Sequence, residues 1–285
     1  MTDVLEVSDL AFTYPGAPDA TLQGLNLSIR EGEIFGLLGP SGCGKSTTQN
    51  ILMGQIGGYR GDIRIFDQDL AVLGRDYYER IGVSFELPTL YLRLTARENL
   101  AFFASLYRSD CIDPIEALKR VDLQDAADQK VGDFSKGMKM RLNLCRAILH
   151  DPELLFFDEP TSGQDPSRAR ITRELILSLK AQGKTIFLTT HNMTEAAQIC
   201  DRVGFLTRGH IPVVGSPAEL MRDYGEGVVE VTRKNGAGFE TETFAKDGLG
   251  QNAAFLSALD DGFVSVHSKE ATLEDVFVSV TGDAT

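Results

Sequence analysis

Residues 39–47 read GPSGCGKST, an instance of the spacing G-x-x-x-x-G-K-[ST]. Glycines in such a run let backbone N–H groups curl around a phosphate without a Cβ in the way. Lys45 adds a flexible cation for the β- and γ-phosphates, and the Ser46 hydroxyl is placed to ligate Mg²⁺. Gly39, Pro40, Ser41, Gly42, Cys43, Gly44, Lys45, Ser46 and Thr47 are therefore candidate contacts to a nucleoside triphosphate. A chance Gly-rich turn would not need a buried-looking strand before it (Ile34–Leu38) and a helix after it (about Lys45–Met53); both are present. No N-K-x-D run for guanine recognition occurs, which disfavours a GTPase.

Two carboxylates, Asp158 and Glu159, end the apolar run Leu154–Phe157. In open α/β sheets ligands bind at the carboxyl ends of the strands. Asp158 there would help to hold Mg²⁺, and Glu159 would polarise an attacking water as general base; the alternative is a solvated acidic turn. His191 follows the apolar run IFLTT. Convergence with Gly39 and Asp158 on one sheet edge makes it a candidate γ-phosphate sensor rather than a structural histidine. Tyr14, in FTYPG, is a candidate for stacking on a base, with a plain core tyrosine as its rival.

A second anion site is written into DFSKGMKMRL, residues 133–142. Ser135, Lys136 and Gly137 stand at the start of an apolar-periodic run, and a helix N-terminus carries roughly half a positive charge. Read alone, the same residues are an ordinary N-capped helix start.

The elements that would position these groups are legible as periodicities. Residues 4–14 and 22–30 alternate around Pro15-Gly16, as an antiparallel flank would. Ile63–Phe66 and Ile81–Phe85 look like strands, as do Leu154–Phe157 and Thr185–Leu188. Thr95-x-x-Glu98 is a capping box opening a helix with the stripe Leu100, Phe103, Ala104 and Tyr107. A helical, charged insert continues to about residue 150, and a helix from Pro166 to about Ala181 stops at Gly183. After Gly215 the pattern changes: Ser216 caps a short helix, Gly225–Gly227 forms a joint, and strands at Val228–Thr232 and Phe263–Val266 precede a helix opened by Thr272-x-x-Asp275. Leu273, Val276, Phe277 and Val280 share one face of that helix.

The chain has 285 residues and a net charge of −13, so it repels nucleic acid and anionic lipid as a whole. No apolar stretch approaches a membrane span, and the first residues show no signal-peptide pattern. Cys43, Cys111, Cys145 and Cys200 lie far apart and read as free thiols of a reducing cytoplasm.

With these motifs in order, residues 4–220 resemble the ATP-binding subunit of ABC transporters: Tyr14, Gly39–Thr47, the signature Ser135-x-Gly137, Leu154–Glu159, the D-loop SGQDP (Ser162–Pro166) and His191. The tail TLEDVFVSVTG is similar to the extension of exporters of antibiotics, lipids and polysaccharides. The resemblance implies an α/β fold: a P-loop NTPase core with an antiparallel β-flank (1–220), a helical subdomain at about 90–150, and a small α+β C-terminal extension (221–285). It implies ATP and Mg²⁺ as cofactors. Two ATPase subunits, identical or related, would pair head-to-tail, so that Ser135, Lys136, Gly137 and Asp165 face nucleotide held by the other. A separate membrane-spanning permease, meeting residues near Leu87–Leu94, would place the chain on the cytoplasmic face of the membrane with no nucleic-acid partner. Within Leu87–Leu94, Leu87 and Leu94 are candidates for the core and Tyr91 for the surface. The alternative is a soluble ABC-type ATPase in iron–sulfur assembly, DNA repair or a regulatory complex.

The chain departs from the family pattern in places. Lys136 and Met138 replace a glycine and a glutamine of the signature, and Gln164 replaces an apolar D-loop residue. Glu86 stands where the family has a glutamine that reaches Mg²⁺ and the attacking water. At ~6 Å and an effective dielectric of ~20, a unit charge pair is worth ~3 kcal/mol. Glu86 must then either ligate Mg²⁺ or turn to solvent. Cys43, at a helix N-terminus within the phosphate loop, is expected to be acidified and open to maleimide.

Overall fold

The computed structural model describes residues 2–224, 227–235, 238–260 and 262–282. Residues 1–214 and 215–285 form two compact units.

In the first unit, β1 (Asp3–Phe12), β2 (Leu22–Arg30), β4 (Arg60–Ile65) and β5 (Gln68–Asp69) make an antiparallel sheet in the order β2-β1-β4-β5. The alternation seen in the sequence is its cause: Leu5, Val7, Leu10, Leu25, Leu27 and Ile29 face inward. A second sheet has the order β10-β9-β3-β8-β7-β6, from β3 (Ile34–Leu38), β6 (Ile81–Ser84), β7 (Leu154–Asp158), β8 (Thr185–Thr190), β9 (Arg202–Phe205) and β10 (Val214–Gly215). Its central pairs are parallel, with Phe35 opposite Phe187 and Phe156 opposite Phe187. Those three buried rings stack or meet edge-on at 6.2 and 5.9 Å. One apolar cluster joins them to the inner face of the antiparallel sheet, so each sheet covers the other. Burying a side chain of this size contributes about 1.5–3 kcal/mol.

The helices of this unit are α1 (Lys45–Leu52), α2 (Tyr77–Arg80), α3 (Ala96–Ala104), α4 (Pro114–Lys119), α5 (Lys136–Ile148), α6 (Pro166–Ala181) and α7 (Met193–Ile199). Thr95 and Glu98 form the expected capping box of α3. Tyr107 is not on the α3 stripe; the helix ends at Ala104, and the ring instead stacks on His150 at 3.7 Å. Residues Met140–Ile148 of α5 are buried, and the helix lies against β6. Gly82 permits that approach, since a Cβ there would lie 2.0 Å from the Ala147 carbonyl oxygen.

The second unit holds α8 (Pro217–Tyr224), a sheet ordered β12-β11-β13, α9 (Ala253–Asp260) and α10 (Leu273–Thr281). Its strands are β11 (Val228–Asn235), β12 (Gly238–Ala245) and β13 (Phe263–Lys269). Val229, Val231, Phe244 and Ala258 form its core. The helix α8 packs with α10 in this unit, so a division after residue 220 would cut through α8. Of the expected joint at Gly225–Gly227, residues 225 and 226 lie outside the described residues. Among the described residues, no helix is long and apolar enough to cross a membrane.

Because the obstacle at Gly82 is backbone, Gly82→Ala forces α5 off β6. We expect a loss of about 1–3 kcal/mol, read as a lower urea midpoint at unchanged m-value.

Candidate functional site

The site is assembled at the carboxyl ends of β3, β7 and β8. The loop after β3 takes backbone angles open to glycine: φ is 154° at Gly39, 80° at Gly42 and 112° at Gly44. At Gly39 a Cβ would also meet the Leu206 carbonyl oxygen at 2.3 Å. The loop is thus closed to side chains and lined by backbone. Lys45 is buried, and its Nζ donates to the carbonyl oxygens of Gly39 and Pro40 at 2.7 and 3.0 Å. It spans the loop from inside, where a phosphate-binding cation belongs. Tyr14 lies next to this loop, its hydroxyl 3.2 Å from Thr47 Oγ1 and its ring edge-on to Phe12. The ring is 42% exposed, so it is not a core tyrosine.

Asp158 is buried at the end of β7. Ser46 Oγ donates to its Oδ2 at 3.3 Å, and Thr189 Oγ1 donates to Oδ1. Burial pushes the Asp158 carboxyl above its usual range; the Thr189 hydroxyl opposes this and the neighbouring Glu159 adds to it. A hydroxyl and a partly desolvated carboxylate, adjacent and oxygen-only, suit a hard divalent cation.

Glu159 sits in the left-handed region at φ 46°, strained for a residue with a Cβ. Its carboxylate is held from one side by the end of β8. Thr190 Oγ1 donates to Oε2 at 2.9 Å, the His191 N–H donates to Oε1 at 2.9 Å, and His191 Nδ1 lies 2.7 Å from Oε1. The His191 side chain is 64% exposed, with the rest of its ring toward solvent.

A third group lies apart. Ser135 caps α5, its Oγ accepting from the Met138 N–H at 3.2 Å. Lys136 and Gly137 occupy the first turn, where no intrahelical carbonyl is available to their N–H groups. Lys136 is helical, as its substitution for glycine requires, and its stem runs across Gly163: a Cβ there would lie 2.7 Å from Lys136 Cδ. A cleft of about 300 Å³ is lined by Ser135, Lys136, Gly137, Asp165 and Arg168. Asp165 caps α6, accepting from Ser167 and Arg168. Gln164 donates to the Pro160 carbonyl and accepts from Thr172 Oγ1, both at 2.9 Å, and so braces the loop. Among the described residues, no hydrogen bond or ion pair joins Ser135, Lys136, Gly137 or Asp165 to the 39–47 loop, Asp158 or Glu159. The first turn of α5 and the D-loop thus share a cleft that no residue of the 39–47 loop lines.

Residues 22–162 match the family described as ABC transporter. A fluoroquinolones export ATP-binding protein of Mycobacterium tuberculosis is 50% identical over 283 residues, 99% of this chain and 94% of that protein. A Nod factor export ATP-binding protein of Rhizobium meliloti is 39% identical over 81% of this chain and 70% of its own length. A solved ATP-binding subunit of an ABC transporter superposes with a TM-score of 0.70 at 30% identity, over 78% of this chain and 93% of that one. The chain belongs to the ATP-binding subunits of ABC transporters. It binds ATP and hydrolyses it to power export, and subunits of this family work with membrane permeases.

One expectation changes at this ABC subunit's phosphate loop. Cys43 is not acidified: burial, the largest influence, pushes its thiol up against the opposing pull of Lys45. The sulfur is turned under the loop, 2.9 Å from where a Gly39 Cβ would stand. Glu86 lies beyond the end of β6 and is exposed, and among the described residues no hydrogen bond or ion pair joins it to Ser46 or Asp158. Leu87, 76% exposed, is surface and not core; Tyr91 and Leu92 are also exposed.

Sequence reasoning passed over Thr189 and Thr190, whose hydroxyls hold the two carboxylates. Their signal was present: two hydroxyls ending an otherwise apolar buried strand. It also passed over Thr161 and the buried Glu195.

A raised thiol pKa means less thiolate at neutral pH. At pH 7 Cys43 should take up maleimide more slowly than free glutathione. Peptide-level mass spectrometry separates it from Cys111; labelling as fast as glutathione would contradict the half-buried orientation.

Proposed function

We propose that ATP is held between two copies of the subunit, with Gly39–Thr47 of one copy and Ser135–Gly137 of the other closing on the same phosphates. The observation that carries this reading is the cleft at the tip of α5, which is lined by Ser135, Lys136, Gly137 and Asp165 and by no residue of the 39–47 loop. The tip of α5 supplies helix-end positive potential and N–H donors. Asp165, at the edge of the same cleft, belongs to the shared surface. Tyr14, beside Thr47, stacks on the adenine.

Within one copy, Ser46 and Asp158 hold Mg²⁺, which would shield phosphate charge when bound. Glu159 takes the proton of the attacking water. The hydrogen bonds from Thr190 and the His191 backbone aim its carboxylate, and the exposed edge of the His191 ring reaches the γ-phosphate. Glu86 turns to solvent and does not ligate the metal.

The docking surface for the permease is the exposed group Leu87, Tyr91 and Leu92, with Tyr91 edge-on to the exposed ring of Phe102 at 4.8 Å. Docked through that surface, the subunit would work on the cytoplasmic face of the membrane. The cargo is chosen by the permease; the relative named for fluoroquinolones makes these drugs the first cargo to test.

Glu159→Gln keeps the hydrogen-bonding shape and removes the base. Turnover should fall by about 10²–10⁴-fold, and ATP should trap a dimer visible by size-exclusion chromatography with light scattering. A monomer that persists in ATP would overturn the paired site. Glu86→Gln should leave the Mg²⁺ dependence of turnover unchanged; a shifted titration would return Glu86 to the metal. Leu87→Glu combined with Tyr91→Glu should abolish co-purification with a co-expressed permease.

A further inference from the structure

The residues Asn192-x-x-Glu195 have the spacing of a capping box at the start of α7. Only half of the box forms. The Asn192 side chain accepts from the Glu195 N–H at 3.0 Å, but the Asn192 N–H donates to Thr190 Oγ1 at 3.0 Å instead of to Glu195. The Glu195 side chain turns inward and is 4% exposed. Its Oε2 accepts a hydrogen bond from Thr161 Oγ1. Its Oε1 has no hydrogen bond, and Arg173 approaches only to 3.9 Å. A half-paired buried carboxyl is costly.

We propose that Glu195 is a positioning residue for hydrolysis, tying Thr161 to the first turn of α7 so that Glu159 stays seated against His191. The proposal rests on the reading of Glu159 as the base. Glu159 and Thr161 lie on the loop after β7, and His191 and Glu195 on the segment after β8. The Glu159–His191 contact is one bridge between these two segments. With the Thr190 hydroxyl and His191 N–H bonds to the same carboxylate it makes one point of attachment; Glu195–Thr161, two residues further along one segment and four along the other, is a second point that restrains rotation about the first. The turn between them is tight, with the Ser162 N–H on the Glu159 carbonyl and the Gln164 N–H on that of Thr161. Pinning Thr161 therefore fixes Glu159 upstream and the D-loop downstream. Burial pushes the Glu195 carboxyl up, and Glu159 adds to it. The Thr161 hydroxyl and Arg173 oppose this. Thr161 donates to an oxygen that a carboxamide would also offer.

The test compares Glu195→Gln, Glu195→Ala, Thr161→Val and Thr161→Ser in the full chain. Glu195→Ala and Thr161→Val should each lower kcat by about tenfold or more, because a small misplacement of a catalytic group is costly. KM for ATP and the affinity for a fluorescent ATP analogue should stay within about twofold of wild type. Glu195→Gln and Thr161→Ser keep the hydrogen bond and should retain kcat. The pair Thr161→Val/Glu195→Ala should be no worse than Glu195→Ala alone. The chain has four histidines, so the ring signal of His191 can be followed by NMR without turnover. It should move in Glu195→Ala and Thr161→Val and hold in Glu195→Gln. Multiplying losses, a Thr161→Val with full kcat, an impaired Glu195→Gln, parallel loss of ATP affinity, or an unmoved His191 signal would each overturn the proposal. Should Glu195→Ala fail to fold, the two Thr161 variants and Glu195→Gln decide the matter. If Glu159→Gln keeps its turnover while the His191 signal still responds to Thr161→Val, it is the base that has failed and the tie that stands.

Discussion

The register of three parallel strands governs everything at the site. Leu38 of β3 lies opposite Thr190 of β8, and Asp158 of β7 lies opposite Thr189. The strands therefore end within a residue of each other, and their next residues, Gly39, Glu159 and His191, arrive on one edge. The row Phe35, Phe187 and Phe156 makes that register costly to change. A slip of one residue would turn these rings to the opposite face and break their mutual contacts. Catalytic geometry and core packing are two consequences of one pairing.

That edge collects negative charge, since Asp158 and Glu159 are adjacent and both buried. Isolated buried carboxylates are expensive, and this pair is tolerated because donors surround it. Ser46 and Thr189 serve Asp158; Thr190 and His191 serve Glu159. The donors to Glu159 all come from the end of β8, which directs the carboxylate. The donors to Asp158 are hydroxyls, which an oxygen-seeking cation can join without displacing a charged partner. A further acid on this edge would add repulsion with no donor to offset it, which accords with the exposed position of Glu86.

The phosphate loop, the carboxylate pair and the capping boxes of α3 and α10 were legible in the sequence because each is a local device: its residues and the backbone they serve lie within a few positions. The alternating flank and the apolar central strands were legible for the same reason. Contacts between segments far apart in the chain were not. Thr161 and Glu195 meet only because β7 and β8 are neighbours. Tyr107 stacks on His150 only because the insert returns to the core. Cys43 failed in another way: its position at a helix N-terminus was read correctly, but the direction of its side chain decides its acidity, and that direction is set by Gly39 and the core beneath. Asn192-x-x-Glu195 is a local pattern that tertiary packing overrides.

The helix α5 joins the two functions that the chain keeps apart. Its N-terminus carries Ser135, Lys136 and Gly137. Farther along, Asn143 donates to Ser84 Oγ and to the Phe85 carbonyl, and Arg146 donates to the Thr89 carbonyl and lies over the ring of Phe103. These bonds grip both ends of the segment that holds Glu86 and Leu87. Neither Asn143 nor Arg146 has freedom to follow that segment alone, because both are buried and α5 is wedged against β6 at Gly82. A hydrogen-bonded helix of 13 residues is about 20 Å long and moves as a body. In the proposed arrangement, a permease pressing on Leu87 and Tyr91 would therefore act on α5, and α5 would carry the displacement to the tip that faces the other subunit's nucleotide. Coupling of transport to hydrolysis then requires no long chain of contacts, since one rigid element touches both surfaces.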